Sequence, residues 1–182
     1  MTSLELLAPA KDLACGMAAI DHGADAVYIG AERFGARAAA GNSVDDIAKL
    51  CRYAHVYGAR VYVTVNTIVY DDELRQTETL INRLYEAGAD AILVQDMGIL
   101  KMDLPPIELH ASTQTDNRTA AKVAWLAGKG FSRVVLAREL SLDDIRDIHS
   151  QVPDVELEAF VHGALCVSYS GLCYASQYCF SR

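Results

Sequence analysis

A helix-like segment that ends at glycine and leads into a short apolar stretch recurs four times along the chain. The glycines are Gly23, Gly58, Gly88 and Gly130, and a run rich in Val and Ile follows each of them within a few residues. Glycine just past a helix readily adopts the left-handed conformation that ends it, and apolar runs with little alternation are typical of parallel strands covered on both faces. Each copy therefore predicts a joint between a helix and a buried strand.

Reading outward from these joints gives strict alternation of strands and helices, which predicts a parallel sheet with crossover connections. The helical stretches repeat apolar residues at helical spacing, as Ile47, Leu50 and Ala54 do, and Ser43 and Ser141 are predicted N-caps. The predicted strands cover residues 4–8, 26–30, 61–66, 92–95, 107–111, 134–137 and 155–161, and the predicted helices cover 11–22, 44–57, 71–87, 97–102, 118–128 and 142–150.

Two α/β architectures use this alternation, the doubly wound open sheet and the (β/α)8 TIM-type barrel. The dinucleotide-binding form of the open sheet needs Gly-x-Gly-x-x-Gly after its first strand, and residues 8–11 read Ala-Pro-Ala-Lys instead. A near-uniform repeat favours the barrel, but a complete barrel has eight units and about 250 residues. We therefore expect an incomplete barrel of about seven units without the eighth, in a fragment of a longer protein with an exposed apolar flank.

Composition narrows the class of protein. The chain has 182 residues, of which 52% are hydrophobic and 22% charged, as in globular proteins. Its net charge of −8 opposes binding of a phosphate backbone or an anionic membrane by the whole surface, so any nucleic-acid contact is expected to be local. No apolar run reaches the roughly 18 residues of a membrane helix, and the first residues lack the pattern of a signal peptide. We expect a cytoplasmic protein with no membrane partner.

Polar residues follow the predicted strands, at the end of a barrel where working residues lie. Each has a structural alternative, since Asp96 can cap a helix, and Arg138 can pair with Glu139. The catalytic candidates are His110, Gln114, Glu139 and His162, and the substrate-binding candidates are Glu32, Arg37, Asn66, Gln95, Asp96, Ser112, Thr113 and Arg138.

The segment 110–116, His-Ala-Ser-Thr-Gln-Thr-Asp, is a candidate binding loop beyond the fifth strand. It contains Ser, His and Asp, but the chain lacks the Gly-x-Ser-x-Gly elbow that exposes a serine nucleophile. The hydroxyl groups of this loop can either bind substrate or satisfy backbone groups in a turn.

Five cysteines, an odd number, do not suggest a disulfide framework. Cys15 and Cys51 lie in helical patterns and are predicted to be buried apolar side chains. Cys166 and Cys173 are seven residues apart, which does not match the Cys-x2-Cys of a zinc knuckle or a redox motif. Wider spacing suits an iron–sulfur cluster; the alternatives are a catalytic Cys near His162 or ordinary buried thiols.

The end of the chain resembles the signature of peptidase family U32, the collagenase-like proteases. Residues 158–176 read Glu-x-Phe-x-x-Gly-Ala-Leu-Cys-x4-Gly-x-Cys-x-x-Ser. The resemblance continues through residues 5–10, 23–30, 94–98 and 109–114 and covers all 182 residues. The sequence around Asn66, around Pro105 and Pro106, and over residues 137–140 is most similar to the branch whose members hydroxylate a cytidine of large-subunit ribosomal RNA.

This resemblance implies an iron–sulfur-dependent RNA hydroxylase that forms 5-hydroxycytidine in 23S ribosomal RNA and depends on prephenate as cosubstrate. It also implies that Cys166 and Cys173 are the first two of four ligands of a [4Fe-4S] cluster, with the other two beyond Arg182. Cys179 matches no ligand position. The expected organisation is a partial barrel over 1–163 and the truncated start of a cysteine-rich iron–sulfur segment over 164–182, so this fragment is expected to lack the cluster itself.

Two other functions stay open. The first is a collagenase-like peptidase, as the family name states, with Cys166, His162 or the Ser112 loop carrying out acyl transfer on peptide substrates. The second is a protein that only binds, as a scaffold or maturation partner. In each case the exposed flank of the barrel can be covered by another chain, including a second copy in a homo-oligomer.

Overall fold

The computed structural model describes residues 4–31, 41–163, 166 and 168–172. These residues form two compact units, 1–108 and 109–182, in which strands alternate with helices. Two short 3-10 helices, Met97–Lys101 and Thr113–Thr115, each begin within three residues of the end of a strand. The strands are Leu7–Ala10 (β1), Ala26–Gly30 (β2), Arg60–Val65 (β3), Ala91–Val94 (β4), Glu108–Ala111 (β5), Phe131–Val135 (β6) and Glu156–Glu158 (β7), and the α-helices are Leu13–Asp21 (α1), Val44–Val56 (α2), Leu74–Glu86 (α3), Ala120–Ala127 (α4) and Leu142–Gln151 (α5).

The first unit contains β1 to β4, which pair side by side in chain order and all run parallel. Val27 aligns with Val61, and Val63 with Ile92, and these four side chains are fully buried. Continuous Val and Ile runs form such strands because helices cover the sheet and leave no face for polar residues. The core of this unit therefore lies between the sheet and α1 to α3.

The second unit contains β6 and β7 with most of β5, again in parallel register. Val123 and Leu126 of α4 and Ile148 of α5 are buried in its core. Arg133 of β6 is also buried, and its guanidinium pairs with Glu156 Oε2 at 2.6 Å on the neighbouring strand and lies 3.8 Å from Glu158 Oε2. An ion pair thus joins β6 to β7 through side chains as well as through the backbone ladder.

The helix starts follow the predicted capping chemistry. The side chains of Ser43 and Ser141 accept backbone N–H groups at the starts of α2 and α5, and Ser141 forms a reciprocal capping box with Asp144. Gly23, Gly58, Gly88 and Gly130 all have positive φ, as the repeated helix-to-strand joint predicts. The incomplete (β/α) barrel predicted from the repeat is confirmed: in the described part of the chain, β1 to β4 run parallel to one another, and so do β5 to β7.

Three predicted strands lie at different positions. The first begins at Leu7 rather than residue 4, since Leu4 is 96% exposed and Pro9 is accommodated on an edge strand, where its missing N–H costs no ladder bond. The sixth begins earlier, at Phe131, which is buried. The seventh ends at Glu158, because Val161 is 90% exposed and has left the sheet.

The two cysteines that lie in helices differ in exposure. Cys51 is buried in α2 as predicted, whereas the prediction is wrong for Cys15, which lies on the exposed side of α1. None of the helices formed by the described residues is both long and apolar enough to cross a membrane.

Candidate functional site

In the second unit, the loop formed by residues 168–172 packs back against the segments that follow β5 and β6. We call these five residues the 168–172 loop; they lie between Cys166 and Cys173 in the sequence. Ser170 is buried at the centre of this contact. The polar residues that follow β5 and β6 and the segment between the two predicted cluster ligands therefore form one group of contacts.

The turn after β5 is held by its own polar side chains. Ser112 is buried, and its Oγ accepts the backbone N–H of Gln114 at 3.2 Å. Asn117, also buried, donates from Nδ2 to the carbonyl of Ser112 at 2.9 Å and to that of Val135 at 2.8 Å, at the end of β6. Ser112 thus satisfies backbone groups in a turn, and Asn117 attaches that turn to the next strand.

Glu139 holds the 168–172 loop from the other side. The backbone N–H of Ser170 donates to Glu139 Oε1 at 2.6 Å, and the N–H of Arg138 lies 3.4 Å from the Ser170 hydroxyl. Burial raises the pKa of Glu139, but hydrogen bonds from Ser170 and the nearby Arg118 charge lower it by more, so the pKa lies below its ordinary value. Glu139 is therefore an ionised hydrogen-bond acceptor for the loop.

Gly171 makes the contact between the loop and the turn possible. Its φ of +76° is left-handed, and a Cβ at this position would lie 2.8 Å from the carbonyl oxygen of Gln114 and 3.0 Å from the Cβ of Asp116. Asp116 itself has a φ of 59°, which Asp tolerates better than most residues. Two left-handed residues thus meet where the backbones approach each other closely.

Two arginines lie in this group of contacts. The side chain of Arg118 pairs with Asp116 and stacks over the Tyr169 ring, 5.1 Å from its centroid. Arg138 is half-buried, and its Nε is shielded from solvent without a hydrogen bond to any described residue. A planar guanidinium in this position can bind a carboxylate or phosphate group.

The predicted catalytic residues occupy different environments. His110 is fully buried in β5, whereas His162 is exposed after β7. Gln114 lies in the 3-10 helix after β5, where its carbonyl contacts Gly171. Thr113 is the first residue of that helix and is half-buried. Of the four candidates, the structure therefore brings Gln114 and Glu139 to the same loop.

The first unit places its predicted residues directly after strands. Asn66 follows β3 and Gln95 follows β4, both half-buried. Asp96 caps the 3-10 helix that follows β4, because its Oδ1 accepts the N–H of Gly98 at 2.7 Å while its Oδ2 accepts that of Val69 at 3.0 Å. Asp96 thus holds two loops together. Glu32 and Arg37 lie outside the described residues.

The described residues do not by themselves form a binding site for an iron–sulfur cluster. Cys166 is an exposed free thiol, and Cys173 and Cys179 lie outside the described residues. Within that described part, no group of three or more His, Cys, Asp or Glu side chains is placed to hold a metal ion. A [4Fe-4S] cluster needs four thiolates as a rule, and of the two predicted ligands only Cys166 lies among the described residues.

Sequence reasoning missed Asn117, Ser170 and Gly171, which hold this group of contacts together. The only signal for Asn117 is its residue type, since Asn is common in turns, where its side chain hydrogen-bonds to backbone groups. Ser170 and Gly171 carry no such signal, because their contacts involve residues more than thirty and fifty positions away.

Parallel strands that alternate with helices and pair in chain order within each unit are typical of a barrel-type α/β protein, because doubly wound sheets reverse their strand order. The chain belongs to peptidase family U32, whose family model matches residues 11–182. It is 60% identical over 174 residues to the 23S rRNA 5-hydroxycytidine C2501 synthase of Escherichia coli, covering 96% of this chain and 26% of that protein. It is 38% identical over 182 residues to tRNA hydroxylation protein P1 of Bacillus subtilis, covering 98% of this chain and 43% of that protein. The chain thus spans less than half the length of these relatives.

Among solved structures, the U32 peptidase Mk0906 superposes with a TM-score of 0.68 and 14% sequence identity. The match covers 87% of this chain and 69% of that one. At this identity the likeness supports the fold alone, and it agrees with the incomplete barrel inferred from the strand order.

Proposed function

We propose that this chain is part of an RNA hydroxylase that forms 5-hydroxycytidine in 23S ribosomal RNA. The observation that supports this most is the 60% identity to the Escherichia coli synthase, maintained over 96% of the chain. The tRNA hydroxylation protein of Bacillus subtilis, a second relative that matches over nearly the whole chain, supports RNA as the substrate class. The matched stretch includes the cluster of loops after β5 and β6.

In this proposal the second unit contributes the binding chemistry. Arg138 would bind an anionic group, either the carboxylates of a cosubstrate such as prephenate or a phosphate of the RNA, because its shielded Nε needs a partner. Gln114 and Thr113 present polar groups from the neighbouring 3-10 helix. Replacing Arg138 with Lys keeps the charge but removes the planar fork, so we expect modification to fall much more than protein stability.

The cofactor proposed from the family resemblance is a [4Fe-4S] cluster. Cys166 and Cys173 would be two of its thiolate ligands, and the cluster would supply electron-transfer chemistry when bound. The contribution of the described residues is to position the segment between these two cysteines. Glu139, Gly171 and Asp116 hold it against the loops after β5 and β6, so Glu139 serves as a positioning residue in this proposal.

A peptidase is the second candidate, favoured by the name of the family and by the U32 peptidase of similar fold. The geometry offers it little support in the described residues. Ser112 is buried and its Oγ is engaged with the backbone of its own turn, so it is poorly placed as a nucleophile. His162 and Cys166 are both exposed, which leaves a thiol nucleophile as the form of this candidate to test.

Two measurements, one on cells that lack the gene and one on the purified protein, separate these functions. Mass spectrometry of 23S rRNA nucleosides from cells lacking the gene should show loss of 5-hydroxycytidine, restored by the wild-type gene. Purified full-length protein should leave fluorogenic collagen-like peptides intact. Unchanged 5-hydroxycytidine together with peptide cleavage that Cys166→Ser abolishes would instead establish the peptidase.

A further inference from the structure

The outward face of α4 combines an exposed aromatic ring with two lysine side chains. Trp125 is 46% exposed, although Val123 and Leu126 of the same helix are buried and already supply its packing. The Nζ atoms of Lys122 and Lys129 lie 5.3 and 5.6 Å from the centre of the Trp125 ring. We call these three residues the Trp125 surface. The fold of α4 does not require a Trp there, because the buried face is elsewhere.

The stretch of sequence that contains α4 is basic, although Asp144 and Asp147 of α5 lie beside the start of the helix. Residues 117–138 include five Lys or Arg and no Asp or Glu, within a chain whose net charge is −8. Two of the five are engaged in ion pairs, Arg118 with Asp116 and Arg133 with Glu156. Lys122 and Lys129 form no ion pair with any residue that the structure describes. Their charge is therefore available to an anionic partner.

The contacts also favour one kind of anion. An aromatic ring between two cations can stack with an unpaired base while the ammonium groups bind the flanking phosphates, as in proteins that bind single-stranded nucleic acid. The cation–π contacts of exposed lysines are weak, so both ammonium groups can turn from the ring to phosphates. The exposed neighbours Ala121 and Ala124 are small, so they neither block a base nor form an apolar patch suited to a membrane.

We propose that the Trp125 surface binds a single-stranded segment of the RNA substrate, apart from the residues that hold the reacting cytidine. This inference rests on the proposed function, since it assumes an RNA substrate. It explains how an acidic protein can contact RNA locally: the surface is a docking site that increases affinity, and the chemistry takes place at the cluster of loops after β5 and β6.

Binding of a fluorescent single-stranded oligoribonucleotide to the full-length protein tests this proposal. We expect Trp125→Leu to weaken binding at least fivefold, the low end of the loss of one stacked base. The double variant Lys122→Gln and Lys129→Gln should weaken it and lower the slope of log affinity against log salt by about 1.4, or about 0.7 for each phosphate contact. Lys49→Gln with Arg52→Gln removes the same charge from α2, whose first turn is acidic, and is the matched control.

Affinities and salt slopes of the α4 variants equal to those of the α2 control would overturn the proposal. So would failure of the wild-type protein to bind the RNA, or equal competition by polyglutamate, which would indicate an acidic protein partner. The two proposals fail separately: normal binding at this surface with 5-hydroxycytidine unchanged in cells lacking the gene refutes only the function. Loss of 5-hydroxycytidine in those cells, with α4 variants that bind like the control, refutes only the docking site.

Discussion

The backbone N–H of Ser170 and the carboxylate of Glu139 are 2.6 Å apart, although 31 residues separate them in the sequence. This hydrogen bond joins the segment between Cys166 and Cys173 to the loop that follows β6. Hydrogen bonds to ionised groups are stronger than neutral ones, and Glu139 has a lowered pKa. The position of this segment therefore depends on a charge that the sequence pattern suggested for catalysis.

Replacing Glu139 with Gln should loosen the 168–172 loop. A charged acceptor becomes a neutral one, and because Glu139 is exposed we expect a loss of only about 1 kcal/mol, which is roughly fivefold faster amide exchange at Ser170. Hydrogen exchange read by mass spectrometry measures this. Glu86→Gln, at the exposed end of α3, is the control and should leave the exchange of Ser170 unchanged. Equal exchange in the two variants would contradict the assigned role.

The same bond has a defined pH dependence. Because the pKa of Glu139 is lowered from its usual 4.5, its contribution is complete above that pH and is lost as the pH falls through the folded-state pKa. The amide proton shift of Ser170 in NMR spectra should therefore titrate with a midpoint below 4.5. A midpoint above 4.5, or no titration, would show that the carboxylate does not hold this amide.

Gly171→Ala should open the loop to proteases. The new Cβ adds a clash with the Gln114 carbonyl at 2.8 Å to the strain of a left-handed alanine, which costs about 1 kcal/mol by itself. Chymotrypsin cleavage after Tyr169 and Leu172 should accelerate at least tenfold. Gly130→Ala provides the control, since Gly130 has a φ of +96° but a Cβ added there would meet nothing within 4 Å. It should leave cleavage of the loop unchanged.

Arg133→Ala should destabilise the second unit. Removing the buried guanidinium leaves Glu158 without its nearby charge in a mostly buried position, and we expect a loss of about 2 to 3 kcal/mol in the free energy of unfolding. The estimate lies below that for fully buried pairs because Glu156, its closer partner, is 62% exposed. Urea denaturation measures the loss.

Arg146→Ala breaks an ion pair on the protein surface, in contrast to the buried Arg133. Arg146 and Asp143 are both exposed on α5, so we expect a change below about 0.5 kcal/mol. If the two arginine variants were equally stable, the ion pair between β6 and β7 would contribute nothing beyond a surface pair.

The cysteines should react at very different rates. Burial, followed by the nearby Asp90 charge, raises the pKa of the Cys51 thiol to about 12, so about one molecule in ten thousand carries the thiolate at pH 8. Iodoacetamide labelling of the native protein, read by peptide mass spectrometry, should modify exposed Cys15 and leave Cys51 unmodified until urea is added. Equal labelling of both before urea would show that α2 does not bury Cys51.

The local signals in the sequence were sufficient for the architecture. Gly at each helix-to-strand joint and continuous Val and Ile runs predict the parallel strands, because both reflect conformations fixed within a few residues. Strand ends were less predictable, since Leu4 and Val161 are apolar yet exposed. Only the neighbouring strand and the edge of the sheet decide where pairing stops.

The sequence predicted where the candidate site residues lie, but it did not predict what their side chains do. Asp96 and Ser112 follow strands, as expected of binding residues, but their side chains satisfy backbone groups. Whether a carboxylate caps a helix or meets a ligand depends on contacts such as the one between Asp96 and Val69, 27 residues apart. Such contacts have no signature in a single sequence.

The proposed function is tested most sharply by the 5-hydroxycytidine content of 23S rRNA from cells whose only copy of the gene encodes Cys166→Ser. We predict loss of the modified nucleoside, because one proposed ligand of the cluster is gone. Cells with Cys51→Ala, which changes a buried thiol far from that segment in the sequence, should retain it whenever the protein accumulates to wild-type levels. Normal 5-hydroxycytidine in the Cys166→Ser cells would contradict the proposed function of this segment.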